Sequence, residues 1–247
     1  STIIKMPEVI VPKDNEFMNY EISKKFKIEL CEMSQLQFDK YNNAWMAEKE
    51  KKQMFDTMNM YLPDDDKRST YQIYTRRVCN MVYQNEIFRT VDKNSSEYLV
   101  EKNKEYKVLI DGELLKFNKG LQNYSPKFNR IFANISKFMK DGTPTGKILF
   151  YSDFRQDAGS EAFELTLQTN GYSKYDYKET DKSKKLRYTF ITGLEKEDER
   201  RSNKEAFNNE DNKYGEYIQF MIISSAGAEG ISLTCVRQVH ILEPYWN

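Results

Sequence analysis

The chain of 247 residues carries 38 basic and 38 acidic side chains, a formal net charge of zero, and is 39% hydrophobic, 14% aromatic and 31% charged. That balance excludes a protein that coats nucleic acid by bulk positive charge, and the length suits one large domain or two small ones with a sizeable core. Cys31, Cys79 and Cys235 stand far apart with no C-x-x-C pair, which argues against a zinc site or a disulfide framework and for a reducing compartment. No apolar run approaches the roughly 20 residues that a membrane span needs. Residues 1–20 lack the pattern of a signal peptide, so a soluble intracellular protein is expected. The sole histidine, His240, sits in the apolar run VRQVHILEP and reads as a packed imidazole. A Ser-His-Asp or Cys-His mechanism is therefore not expected.

Residues 1–20, with Pro7 and Pro12 and no period, read as an extended lead-in. Phe26, Ile28 and Leu30 alternate with polar residues and predict a strand. Ser34 is a candidate N-cap for a long helix over 35–59, with Leu36, Tyr41, Trp45 and Met46 as its apolar stripe. The acidic break Pro63-Asp64-Asp65-Asp66 closes that unit, and a second helix is predicted over 70–83. Residues 84–120 read as a loop followed by helical or irregular structure, and no internal repeat is present. Ser125-Pro126-Lys127 then opens a helix whose apolar residues are Phe128, Ile131, Phe132, Ile135 and Phe138-Met139, ending at Asp141-Gly142.

From there strand and helix alternate. Strands are predicted over 147–151, 188–191, 220–223 and 239–242, with helices over 158–171 and 195–207. The polar residues 173–186 read as an insertion or mobile loop. This order is that of an α/β protein, a parallel sheet with crossover helices. Loops at the carboxyl edge of such a sheet bind ligands. Three strand ends there carry hydroxyls or glycines: Ser152, Thr192-Gly193 and Ser224-Ser225-Ala226-Gly227, with Arg155 close in sequence to the first. Each alone reads as ordinary strand-end capping. Together they suit the sugar-phosphate backbone of one nucleic-acid strand, read without sequence preference. Two stretches mislead. Gly142-Thr143-Pro144-Thr145-Gly146-Lys147 is one residue short of a phosphate-binding G-x-x-x-x-G-K-[ST] loop and precedes a strand, so it reads as a turn. Asp198-Glu199-Arg200-Arg201 has no apolar strand before it and reads as a solvated helix face.

SSAGAEGISL followed by VHILEPYWN resembles motifs V and Va of helicase superfamily two, in its Swi/Snf-type branch. Other segments agree with that resemblance: Met33-Ser34 with Phe38 and Tyr41, Arg76-Arg77-Val78-Cys79-Asn80, the Ser125-Pro126-Lys127 helix, and Ser152-Asp153-Phe154 at the place of motif IV. Where the family follows Cys-Asn with His-Pro, this chain has Met81-Val82. The resemblance covers 22–82 weakly and 121–247 well.

The resemblance implies a RecA-like C-terminal helicase lobe over 121–247, truncated before motif VI, preceded by a mostly helical interlobe linker region over 1–120 that follows a missing first lobe. It assigns nucleic-acid backbone contacts to Ser152, Arg155, Thr192, Gly193, Ser224, Ser225, Ala226 and Gly227. It places Glu229, Gly230 and Ser232 at the nucleotide, and gives Trp246 and Asn247 a coupling role. Relatives carry Asp or Asn where Ser232 stands. ATP and magnesium are implied cofactors held mainly by the first lobe, so no catalytic or metal-binding residue is expected here and the chain alone should not hydrolyse ATP. Implied partners are nucleic acid, DNA in preference to RNA, the first lobe and the transcription machinery. Glu229 and Ser232 fit the versions in large DNA viruses, of the poxvirus-type nucleoside triphosphate phosphohydrolases. A viral, transcription-associated helicase of the host cytoplasm or virion is thus the first reading. A nuclear chromatin remodeller, or a degenerate lobe that only binds or scaffolds, stands as the alternative.

Overall fold

The computed structural model describes residues 28–58, 73–83, 113–155, 158–178, 186–228 and 230–243. Residues 32–247 form one compact unit and 1–31 another. The alternation through Phe26, Ile28 and Leu30 does not make a strand: residues 28–31 join no ladder, and Phe26 lies outside the described residues.

Helix α1 spans Gln35–Met58 and α2 spans Ile73–Val78. Ser34 caps α1 as expected, its hydroxyl oxygen accepting from Gln37 N at 3.1 Å. Two residues of the expected stripe, Leu36 and Tyr41, pack against Ala44, Val78 and Val82, and the other two do not. Trp45 and Met46 are exposed, while Ala44 is buried against Val78 and Val82, and Gln37 Nε2 donates to Val78 O at 2.8 Å. Glu48 takes the start of α2, its carboxylate accepting from Tyr74 N at 2.7 Å and Thr75 N at 3.3 Å. A polar carboxylate on free helix amides cannot be read from hydrophobic spacing. The second helix is also shorter than the predicted 70–83, since α2 ends at Val78; Thr70 to Gln72 lie outside the described residues.

A 3₁₀ turn, Glu113–Leu115, and a short helix α3, Leu121–Tyr124, lead into α4, Pro126–Ser136. Ser125 caps α4 by accepting from Phe128 N at 3.1 Å, with Pro126 at the first helical position. Beyond α4, Asp141 and Gly142 both adopt positive φ, 51° and 75°, in the turn of a hairpin between β1, Met139–Lys140, and β2, Thr143–Pro144. This stretch is a turn, as the sequence reading has it.

The remaining chain builds the five-stranded parallel sheet. In chain order it holds β3 (Lys147–Tyr151), α5 (Ser160–Thr169), β4 (Ser173–Lys174), β5 (Arg187–Ile191), α6 (Glu197–Asn208), β6 (Phe220–Ile223), α7 (Ser225–Ala228) and β7 (Val236–Ile241). The spatial order is β4-β5-β6-β3-β7, every pair parallel. The RecA-like α/β architecture is present. One correction concerns β4, which lies within the expected insertion 173–186. Both its residues are exposed, so it carries no hydrophobic signal, yet it pairs with β5 at the sheet edge. The last strand begins earlier than expected, and Val239 and Ile241 point to solvent from its edge position.

β5 and β6 are buried along their whole length, as strands covered on both faces require. On one face Phe163 of α5 stacks on Phe150 at a ring separation of 3.9 Å, and Phe128 of α4 lies 5.1 Å from Phe163. On the other face Phe207 of α6 packs with Ile191, Met221 and Ile223. Lys147 is fully buried where β3 begins, and its Nζ donates to Phe207 O at 2.7 Å, satisfying a carbonyl of the last turn of α6. Burial pushes its pKa down. It is a structural lysine, not a phosphate ligand.

Phe163 is the hub of the aromatic layer and has no solvent exposure. Phe163→Ala is expected to cost about 3–5 kcal/mol. Urea unfolding should show a lower midpoint with an unchanged slope.

Candidate nucleic-acid interface

Parallel pairing places the carboxyl ends of β3, β5 and β6 on one edge, and specific contacts fasten them together there. At the end of β3 the Ser152 side chain is fully buried, its Oγ 2.8 Å from Phe154 O and 2.9 Å from Glu243 Oε1. Its hydroxyl is thus committed within the protein. Three residues on, Arg155 reaches across the edge to donate from its guanidinium to Thr192 Oγ1.

The end of β5 is a closed polar box. Thr192 donates to Glu195 Oε2 from both its backbone N and its hydroxyl at 2.6 Å, and Arg155 lies 3.5 Å from Glu195 Oε1. Glu195 is 8% exposed. Burial alone would raise its pKa, but the Thr192 hydroxyl, backbone amides and Arg155 outweigh burial and hold the carboxyl below its ordinary value. Arg155 also approaches Glu161 at 3.5 Å, so its charge is shared between two carboxylates while more than a quarter of its side chain remains open to solvent. Gly193 follows the box and is exposed.

The end of β6 turns into α7 within the serine-glycine stretch. Ser224 is buried and Ser225 exposed, and Ala226 and Gly227 continue α7. Gly227 is required there: a Cβ would stand 2.0 Å from Ile191 O at the end of β5. So the structure brings Arg155 to Thr192 and the α7 turn to Ile191, while Ser152, Thr192 and Ser224 present little of themselves to solvent. The accessible part of the edge is Gly193, Ser225 and Arg155.

Of the residues assigned to the nucleotide, Gly230 adopts a φ of 71° and is exposed, and Ser232 is exposed. The Ser232 carbonyl accepts from Asn208 Nδ2 at 2.9 Å, and Thr234 N donates to Asn208 Oδ1 at 2.9 Å. These bonds tie that loop to the last residue of α6. Glu229, Trp246 and Asn247 lie outside the described residues.

Sequence reasoning missed three members of this neighbourhood. Arg76 and Arg77 of α2 lie over the Phe154 ring at 5.0 and 5.5 Å, putting two further cations beside the end of β3. Glu195 was read as the start of a helix, and only its spacing of three from Thr192 hinted at a turn cap. The chemistry on offer is a set of backbone groups, small side chains and guanidinium ions, suited to phosphates and blind to bases. Among the described residues no three His, Cys, Asp or Glu side chains converge as a metal site.

Residues 130–247 match the family described as helicase conserved C-terminal domain. The chain is 28% identical over 215 residues to a "Putative ATP-dependent RNA helicase" of Acanthamoeba polyphaga mimivirus, covering 87% of this chain and 32% of that protein. It is 28% identical over 259 residues to a "Termination factor NPH-I homolog" of African swine fever virus, covering 89% and 34%. A "Putative helicase" of Invertebrate iridescent virus 3 is 31% identical over 129 residues, covering 51% and 13%. The chain spans about a third of the length of the first two.

The Glu195 box gives a pH signature. A carboxyl whose folded pKa is depressed contributes stability above its unfolded pKa and loses it as pH falls through the folded value. Glu195→Gln is therefore expected to destabilise the chain by about 2 kcal/mol at pH 7. That difference from the parent should shrink below a pH of about 4, in urea titrations run at both pH values.

Proposed function

We propose, from the match of residues 130–247 to the family described as helicase conserved C-terminal domain, that this chain is the second motor lobe of a viral ATP-driven nucleic-acid translocase associated with transcription. The linker is taken as 1–120 and the lobe as 121–247. The observation that carries the reading is the fastening of three strand ends along one edge, by Arg155 on Thr192 and by Gly227 on the end of β5. Gly193, Ser225 and Arg155 there follow a phosphate backbone without reading bases. The relatives' names, a helicase and a termination factor of large DNA viruses, support the transcriptional setting and the host cytoplasm or virion as its place. No helix among the described residues is long and apolar enough to cross a membrane.

Phosphoryl transfer needs a lysine cradle for the phosphates, a carboxylate on magnesium and an arginine at the γ-phosphate. The residues described here do not fit the triphosphate. Lys147 is spent on Phe207 O, and among the described residues no three His, Cys, Asp or Glu side chains converge to hold magnesium. The chain's part is one wall of the nucleotide site at Gly230 and Ser232, completed by another lobe that supplies the cradle and the metal. Trp246 and Asn247, with Glu229, belong to the same proposal on sequence resemblance alone. By itself the chain does not turn over ATP.

Fluorescence anisotropy with labelled single-stranded oligonucleotides tests the reading. We expect binding that is indifferent to base sequence and weakens with salt, tighter to DNA than to RNA. Gly227→Ala, which forces α7 off the end of β5, is expected to lower affinity about tenfold with circular dichroism unchanged. No binding by the parent chain at low salt, or magnesium-dependent ATP hydrolysis by the pure chain, would overturn it.

A further inference from the structure

Glu243 is a buried carboxylate, 5% exposed, two residues beyond the end of β7, and none of the roles above uses it. Its oxygens are shared among separate segments. Oε1 accepts from Asn80 Nδ2 and lies 2.9 Å from Ser152 Oγ, while Oε2 accepts from Asp153 N at 3.0 Å. Asn80, which follows α2, is held from every side. Its Oδ1 accepts from Lys127 Nζ at 2.9 Å, and its backbone carbonyl accepts from Ser125 Oγ at 2.6 Å. Lys127 Nζ also donates to Leu242 O at 3.2 Å, closing the ring beside Glu243. With Asn80 and Lys127 around it, this carboxylate joins the linker segment 73–83, the first turn of α4, the end of β3 and the end of β7.

Taking an ion out of water is expensive, and an apolar pair would fill the same space at less cost. Burial pushes the Glu243 carboxyl up, and the bonds from Ser152, Asp153 and Asn80 with the Lys127 charge offset that only in part. What the carboxylate provides is registry, because two oxygens satisfy donors on chain segments distant in sequence. A second contact joins the same partners: Arg76 and Arg77, on the helix just before Asn80, cover Phe154 two residues after Ser152.

We propose that Glu243 is a positioning residue that latches the linker segment 73–83 to the strand-end loop 152–155, so that the two shift as one body. A displacement of the linker then passes through Asp153 and Arg155 to Thr192 and so to the accessible edge of β5. The use of that movement by a motor rests on the helicase reading; the latch itself does not.

Amide hydrogen exchange on the chain tests the latch as a double-mutant cycle. The reporters are Val82, whose N–H donates to Tyr124 O, for the linker side, and Ser152, whose N–H donates to Ile223 O, for the strand side. Glu243→Gln keeps the shape but turns an amide NH₂ toward donors, and Asn80→Ala removes the linker's grip. Each is expected to raise exchange at both reporters about tenfold, with the double variant no faster than either single one. Amides of β5 should not change. Exchange that rises only on the substituted side, or single effects that multiply in the double variant, overturns the latch. If Glu243→Gln fails to fold by circular dichroism, Lys127→Met replaces it. That substitution leaves the carboxylate in place and should raise exchange at both reporters; a rise at Val82 alone overturns the proposal. Oligonucleotide binding by the same samples separates the two readings. Parent chain that shows the coupling but binds no nucleic acid sinks the helicase reading and keeps the latch. Binding without the coupling does the reverse.

Discussion

Parallel strand pairing is the constraint on which the rest of this structure depends. A parallel sheet is stable only with both faces covered, and it sends every strand's carboxyl end to the same edge. β6 enters between β5 and β3 after both have been laid down in sequence, and β7 then pairs on the far side of β3. The aromatic layer of Phe128, Phe150 and Phe163 on one face and Phe207 with Met221 on the other hold this order. Residues some seventy positions apart, such as Ser152 and Ser224, meet because hydrophobic burial aligns the strands that carry them.

The edge so formed is organised by charge sharing within the protein. Arg155 is divided between Glu195 and Glu161, and Thr192 gives its hydroxyl and amide to Glu195. The hydroxyls that sequence patterns single out are largely framework, and the exposed surface is left to Gly193, Ser225 and the guanidinium of Arg155. This division has a physical reason. On the proposed function, a long polyanion meets a rigid line of amides and small groups that costs little entropy to order, and buried threonine and serine supply the rigidity.

Much of the architecture was legible because it rests on periodicity and capping. The apolar runs at 147–151 and 220–223, the Ser125 cap with Pro126, and the Ser34 cap of α1 are all where those signals place them. The failures share a cause. β4 is a two-residue edge strand with both side chains in solvent, and of the α1 stripe Trp45 and Met46 are exposed while Gln37 and Glu48 join α2 by polar contacts that helical spacing cannot reveal. The family resemblance pointed to three strand ends that lie on one edge, but the partners of Glu195 and Glu243 depend on which segments lie side by side, and no local pattern encodes that.

The pKa values of the two buried carboxylates at this edge are shifted in opposite directions. Glu195 is held below its ordinary pKa by close donors and a cation, so its charge is comfortable and its box is a fixed point of the edge. Glu243 is pushed up by burial, which its bonds from Ser152, Asp153 and Asn80 and the Lys127 charge offset only in part. The short loop from Asp153 to Arg155 joins the two, its Asp153 amide on Glu243 and its Arg155 guanidinium beside Glu195, so that one span of chain serves both carboxylates.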